Sequence, residues 1–380
     1  MLPLIVVDLL VHLYVGARLI PAFDWPLAPT LIAVAVLIFS ALAIPYGLMA
    51  RRLGRGDDAL TWPSLVTMGW FASLWVGTAT RDVLLLAGNV LDFIAPQVLD
   101  LGQLARFAHE SALAVPLLAL AASVFGFLNA RRTARVVAID VPITGLSDAL
   151  TGFRIVQISD IHVGPTIKRA YLEAIVKRVN ALNPDVVAIT GDLVDGSVAE
   201  LAAHVAPLAQ LRARHGVYFV TGNHEYYSGA PAWVAELRRL GITVLMNEHV
   251  LLEHDGSPLV VAGVTDYGAH HFDPAQRSDP RGALLGLAAG DVPKVLLAHQ
   301  PRSALAAEEA GFDLQLSGHT HGGQFFPWNL FVRLQQPFTA GLHRLGGLWV
   351  YTSRGTGYWG PPKRLFAPSE ITQVSLVPAA

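Results

Sequence analysis

Leu316-Ser317-Gly318-His319-Thr320-His321-Gly322-Gly323-Gln324 sets two imidazoles one residue apart, with one glycine before them and two after. That pattern suits a strand ending in a tight turn that aims both rings into one small volume, a metal-ligating geometry. A His-x-His pair also sits comfortably on an exposed strand, so the rest of the chain decides. Working outward, four more stretches share the design. Ile155-Val156-Gln157-Ile158-Ser159 leads into Asp160-Ile161-His162, and Val186-Val187-Ala188-Ile189-Thr190 into Gly191-Asp192. Val217-Tyr218-Phe219-Val220-Thr221 leads into Gly222-Asn223-His224-Glu225, and Val295-Leu296-Leu297-Ala298 into His299. Each apolar run predicts a buried strand that delivers its polar residue at the C-terminal end, where sites form in sheets covered by helices.

The ordered set D-x-H, G-D, G-N-H-E, a lone His and G-H-T-H resembles the calcineurin-like metallophosphoesterase family. The wider strings S-D-I-H, I-T-G-D-L, G-N-H-E-Y-Y and S-G-H-T-H-G-G-Q are most similar to its bacterial membrane-associated branch, the YkuE and YaeI type. The resemblance spans residues 150–376 and does not reach the first 130. It implies a four-layer α/β/β/α sandwich, whereas pattern alone supports an α/β layered domain. It also implies two divalent metal ions: Asp160, His162 and His321 on one, Asn223, His299 and His319 on the other, and Asp192 bridging them. His224 would stabilise or protonate the leaving oxygen, the alternative being a seventh ligand or a supporting neighbour, and Glu225 would orient His224 or stand as a solvated loop residue. With no cysteine in the chain the ligands are nitrogen and oxygen, which suits Mn, Fe, Zn or Co without choosing among them. Arg354, in Thr352-Ser353-Arg354-Gly355-Thr356-Gly357, is a candidate to grip a phosphate oxygen or an ordinary loop arginine.

A mean hydropathy of +0.45 with 15% charged residues is too apolar for an ordinary soluble enzyme, so part of the chain is expected in lipid. The net charge of -2 and the lack of an extended basic stripe exclude a general attraction to nucleic acid. Residues 25–50, 59–80 and 111–130 are uncharged and long enough to span a bilayer, and residues 1–17 carry only Asp8 and His12 among apolar neighbours. The sequence therefore predicts four helices over 1–130, with the first retained rather than removed as a signal peptide. Arg51, Arg52 and Arg55 follow the second span and Arg131, Arg132 and Arg135 the fourth. Four spans put both clusters on one side, which the positive-inside rule makes the cytoplasmic face of the cell (inner) membrane. Residues 83–103, with Asn89, Asp92, Pro96 and Asp100, read as an extension of the third helix plus an interfacial piece. Asp8, His12, Arg81 and Asp82 are costly near hydrocarbon and are expected to pair from helix to helix.

Residues 131–150 read as a linker with an entry strand at 136–139, and 151–380 as the catalytic domain. Ile167, Leu172, Ile175, Val176, Val179 and Leu182 fall at helical spacing, and Asn183-Pro184 stops that helix. Further helices are expected near 199–213, 231–240 and 281–289. Strands are expected at 242–246, 249–253, 258–264, 313–317, 348–352 and 371–376. The expected function is a membrane-anchored phosphohydrolase acting on a phosphorylated small molecule or lipid. The alternative is a membrane sensor or scaffold that binds a phospholigand without turnover. The loop after the paired histidines, with Phe326, Trp328, Phe331, Arg333 and Arg344, together with Lys363 and Arg364, suits the headgroup layer and favours a lipid-linked substrate. Oligomeric state is not legible.

Overall fold

The computed structural model describes residues 2–52, 58–96, 98, 101–288 and 290–379. They form two compact units, Met1–Leu128 with Gly360–Lys363, and Asn129–Trp359 with Arg364–Ala380.

Four helices build the first unit: α1 (Leu2–Leu19), α2 (Leu27–Arg52), α3 (Asp58–Ile94) and α4 (Leu101–Arg131). Leu13, Ile32, Leu117 and Leu118 each expose 66–69% of their surface, a display of bulky apolar groups suited to lipid rather than water. Among the described residues, Leu2–Phe23, Leu27–Met49 and Gly102–Arg131 are long and apolar enough to cross a membrane. The expected span at 59–80 is helical but lies within the 37-residue α3, which does not join that set. Thr61, Ser64, Thr67, Ser73, Thr78 and Thr80 lower its apolarity. Arg55 and Asp100 lie outside the described residues.

Asp8, His12, Arg81 and Asp82 all have partners, Asp8 and His12 in each other within one helix and the other two partly across helices. His12 Nδ1 donates to Asp8 O (2.8 Å), its Nε2 lies 2.9 Å from Ser40 Oγ, and its ring stacks on Phe71. Tyr14 and Arg18 donate to Asp82, while Arg81 donates to Ala108 O and Ser111 Oγ. Lys363 departs from the headgroup expectation. It is 2% exposed and its Nζ donates to Gly69 O, Ser73 Oγ and Ser123 Oγ, so backbone and hydroxyl oxygens replace water around the ammonium.

The second unit is a mixed α/β sandwich. Its elements run β1 (Arg135–Ile143), β2 (Arg154–Ile158), α5 (Arg169–Asn180), β3 (Val186–Ile189), α6 (Val198–Val205), β4 (Val217–Phe219), α7 (Asn223–Ser228), α8 (Ala230–Arg239) and β5 (Thr243–Val244). They continue β6 (Glu248–His254), β7 (Ser257–Gly263), β8 (Lys294–Leu297), α9 (Ala304–Glu309), β9 (Leu314–Ser317), α10 (Trp328–Val332), β10 (Gly341–Leu345), β11 (Leu348–Thr352) and β12 (Glu370–Pro378). One sheet has the order β1-β12-β2-β3-β4-β5 and the other β10-β11-β9-β8-β7-β6. Ile155, Val186, Ala188 and Val374 of the first sheet meet Leu259, Val261, Val295, Leu297, Leu314 and Leu316 of the second in one buried core. The opposite face of the first sheet packs Val156, Val187, Ile189 and Phe219 against Leu172, Ile175, Val176, Leu201, Trp233 and Leu237 of α5, α6 and α8. Leu296, Val260 and Val350 of the second sheet cover Ala304 and Ala307 of α9. Four layers follow from strands that are apolar on both faces.

Several elements differ from expectation. The entry strand expected at 136–139 is longer, Arg135–Ile143, and pairs with β12 along its whole length. The helix expected over 199–213 ends at Val205, where Pro207 cannot donate a helical hydrogen bond and a 3-10 turn takes over. Among the described residues of 281–289 a 3-10 turn forms at Gly282–Leu284 in place of the expected helix, because Asp279 caps Gly282 N and glycines 282 and 286 favour turns.

Candidate metal centre

The parallel strands β2, β3 and β4 of one sheet and β8 and β9 of the other all end at one rim, and their C-terminal loops converge there. Asp160, His162 and His321 bring ligand atoms within 4.8 Å of one another, and so do Asp192, His299 and His319. A third such group, His162, Asp192 and His224, joins the two. Asp192 Oδ2 is 3.2 Å from His299 Nε2 and 3.8 Å from His162 Nε2, between the clusters. His162 Nε2 and His321 Nε2 face each other at 3.0 Å, and His299 Nε2 and His319 Nδ1 at 3.2 Å. Nitrogen lone pairs converging in this way suit a shared cation.

The loops reach this geometry at a cost in backbone strain. Asp160, His162, Asp192, His319 and His321 all have φ between 51° and 70°, a left-handed conformation that non-glycine residues avoid. Such strain gathers where surrounding structure over-determines a functional site. Close approach adds to it: a Cβ on Gly222 would fall on the Asp192 carboxylate, and one on Gly318 on Ser159 Oγ and Asp160 Oδ2.

Hydrogen bonds around the site set which atoms remain available. His299 Nδ1 donates to Thr190 O (2.8 Å) and His162 Nδ1 to Asp195 Oδ1 (3.0 Å), so each keeps its Nε2 lone pair for the centre. Asp160 accepts from His319 N, and Asp192 Oδ1 from His224 N (2.9 Å). Asn223 Oδ1 is buried without a hydrogen-bond partner, a costly state for an amide oxygen that a cation would relieve. Burial and the Arg364 guanidinium hold His321 well below the usual imidazole range, and burial with His299 brings His319 down to about 3. Both rings are therefore neutral and able to ligate.

Asp195 was not singled out by sequence, although it lies three residues after Asp192 in Gly191-Asp192-Leu193-Val194-Asp195. Its Oδ1 accepts from His162 Nδ1 and from His224 Nδ1 (2.6 Å), which ties a candidate ligand to the candidate acid. Burial works against ionised Asp195, but His162 and His224 hold its carboxyl well below the usual range. Burial likewise pulls His224 down, and the carboxylates of Asp192 and Asp195 more than reverse this, raising it to about 9. Glu225 does not have the orienting role expected of it. It is fully buried and accepts from the backbone N–H groups of Asp192, Leu193 and Gly222, so it ties the β3 loop to the start of α7.

Arg354 stands beside this loop with its Nη1 on Glu370 Oε2 (2.8 Å) and its side chain 35% exposed. Arg364 corrects a second headgroup expectation. It is fully buried, donates to His321 O, Arg354 O and Gly357 O, and lies 3.0 Å from His321 Nδ1. Phe326, Trp328 and Phe331 by contrast are 40–52% exposed around α10.

The calcineurin-like phosphoesterase profile matches residues 153–323. A Bos taurus "transmembrane protein with metallophosphoesterase domain" is 43% identical over 71% of this chain and 63% of its own length. An uncharacterized metallophosphoesterase of Aquifex aeolicus is 34% identical over 60% of this chain and 85% of its own. YkuE of Bacillus subtilis, an uncharacterized metallophosphoesterase, is 30% identical over 59% and 79%. A layered α/β sandwich with clustered Asp and His at its rim defines the metallophosphoesterase class, and this chain belongs to the calcineurin-like metallophosphoesterase family. It spans less than two thirds of the length of the bovine relative.

Proposed function

We propose that the protein is a membrane-anchored phosphohydrolase that uses two divalent cations to cleave a phosphoester or pyrophosphate bond. The observation that carries this reading is the convergence of two Asp/His groups, and the orphaned oxygen of Asn223, beside His224 in sequence, supports it. Asp160, His162 and His321 would hold one cation, Asn223, His299 and His319 the other, and Asp192 both. Paired cations supply Lewis-acid activation of water near neutral pH and offset charge on the phosphoryl oxygens. Mn, Fe, Zn and Co all suit the donor set.

The chain's own residues do the rest. Asp195 fixes the His224 tautomer through Nδ1, which leaves Nε2 to deliver a proton to the leaving oxygen. Thr190 O and Asp195 hold His299 and His162 so that their Nε2 atoms point inward. Arg354, anchored by Glu370, would contact a phosphoryl oxygen with its remaining N–H groups.

The substrate in this reading is lipid-linked, supported by the exposed Phe326, Trp328 and Phe331 and by helices apolar enough to span a membrane. In this reading 59–80 also spans, and the catalytic unit faces the cytoplasm, because four spans put the arginine clusters after residues 50 and 130 on one side whereas three would separate them. The test is metal content together with hydrolysis of an aryl phosphate by the full chain supplied with Mn, Zn or Co. Asp192→Asn and His321→Ala are each expected to lose both metal and turnover. Normal occupancy and normal turnover in either variant would refute the assignment.

A further inference from the structure

Beside His224 the surface carries large aromatic rings that the chemistry described so far does not use. Tyr227 lies one helical turn along α7 from His224, with ring centroids 5.2 Å apart, and is 65% exposed. Trp359 approaches the same imidazole at 5.7 Å and is 51% exposed. Phe272, 53% exposed, sits 5.7 Å from Tyr227 and 5.4 Å from Tyr226. Three bulky rings held at a water-facing rim, two of them against the candidate acid, gain little for folding by being there.

The rim is built rather than loose. Gln324, directly after the His-Thr-His-Gly-Gly run, adopts a left-handed backbone (φ 56°) and is 7% exposed. Its amide grips Trp359 at two points: Nε2 donates to Trp359 O and Oε1 accepts from Trp359 N, both at 2.8 Å. Tyr358 and Thr356, just before Trp359, are buried, so the indole projects from a fixed strap. On the other flank Tyr226, Ala230 and Ala269 form a small core that pins α7 to the turn carrying Phe272.

We propose that Tyr227, Phe272 and Trp359 form the leaving-group subsite and that it takes a planar aromatic group carried by the leaving oxygen, such as an aryl ring bonded to it or a nucleobase joined to it through a sugar. This rests on the phosphohydrolase reading above. His224 Nε2 marks where the leaving oxygen must stand, because its Nδ1 is committed to Asp195, and the group attached to that oxygen then meets the rings. Aromatic rings offer π-faces and edges that a planar partner matches, and Tyr and Trp do so with few rotamers to freeze.

The test measures binding by calorimetry to the full chain in detergent with Mn, using methylphosphonate, phenylphosphonate and hexylphosphonate. All three share one head group, and the last two share a carbon count. Phenylphosphonate is expected to bind about three- to tenfold tighter than methylphosphonate, the gain from an aromatic contact. Trp359→Ala and Tyr227→Ala should each erode that ratio without changing methylphosphonate affinity, while Trp359→Phe should retain most of it. Equal binding of phenyl and methyl ligands, or a ratio untouched in both alanine variants, would overturn the subsite while leaving the phosphohydrolase reading intact. A gain for hexylphosphonate equal to that for phenylphosphonate would overturn the planar class in favour of an acyl chain. Failure of all three to bind would refute the phosphohydrolase reading and the subsite together.

Discussion

Asp195 accepts from two imidazoles, and its effect on them differs. For His162 it orients the ring; for His224 it also favours the protonated form. An acid must be protonated to act, so turnover should fall as pH rises through the His224 pKa, which the two carboxylates push up. Removing one anion lowers that pKa, so Asp195→Asn should move the basic limb of the kcat profile to lower pH. An unmoved limb would show that another group sets it. His224→Ala should keep its metal while turnover falls by about 10² or more, and equal loss of metal would make His224 a ligand. Gly222→Ala tests the close approach to Asp192, and metal content is expected to fall with it.

At the scale of elements, the strand-end loops are held by buried groups that do not touch the reacting centre. Glu225 is the clearest, since its loss would leave the N–H groups of Asp192, Leu193 and Gly222 unpaired in the interior. At about 1–3 kcal/mol for each orphaned group, Glu225→Ala should destabilise the protein by about 3 kcal/mol or more. Thermal unfolding measures this, and an unchanged midpoint would mean water replaces the carboxylate. The segment around α10 makes a different prediction. Replacing Phe326, Trp328 and Phe331 with serine should lower turnover of a micellar lipid phosphate and spare a soluble aryl phosphate, because these side chains are exposed rather than packed. Equal loss on both substrates would remove the lipid-access role.

For the whole molecule, orientation in the membrane is the open variable. A reporter fused after residue 380 should be active in the cytoplasm, and neutralising Arg51, Arg52 and Arg55 should weaken that orientation more than neutralising Arg18. Export of the reporter from the unaltered protein would overturn the proposed side. Arg18 is a weaker lever in part because it already forms an ion pair with Asp82.

The sequence by itself determined the strand-end blocks, because a buried strand needs a continuous apolar run and its polar terminus then stands out against it. It also determined the apolar helices, whose length and composition need no partner to be read. Tertiary structure decided what depends on contacts across long chain separations. The ring of His224 meets Asp195 rather than its neighbour Glu225, since both sit on α7, where successive side chains point about 100° apart. Lys363 and Arg364 look like surface cations in sequence, yet both are buried: Lys363 finds three oxygen acceptors on distant segments, and Arg364 joins the distant His321 O to carbonyls of its own strap. The aromatic rim is equally invisible in one dimension. Tyr227 lies on α7 and Phe272 and Trp359 on two separate loops, and the two-point grip of Gln324 on Trp359 and the packing of α7 bring them to one edge, because hydrogen bonds and van der Waals contact act over ångströms of space and not along the chain.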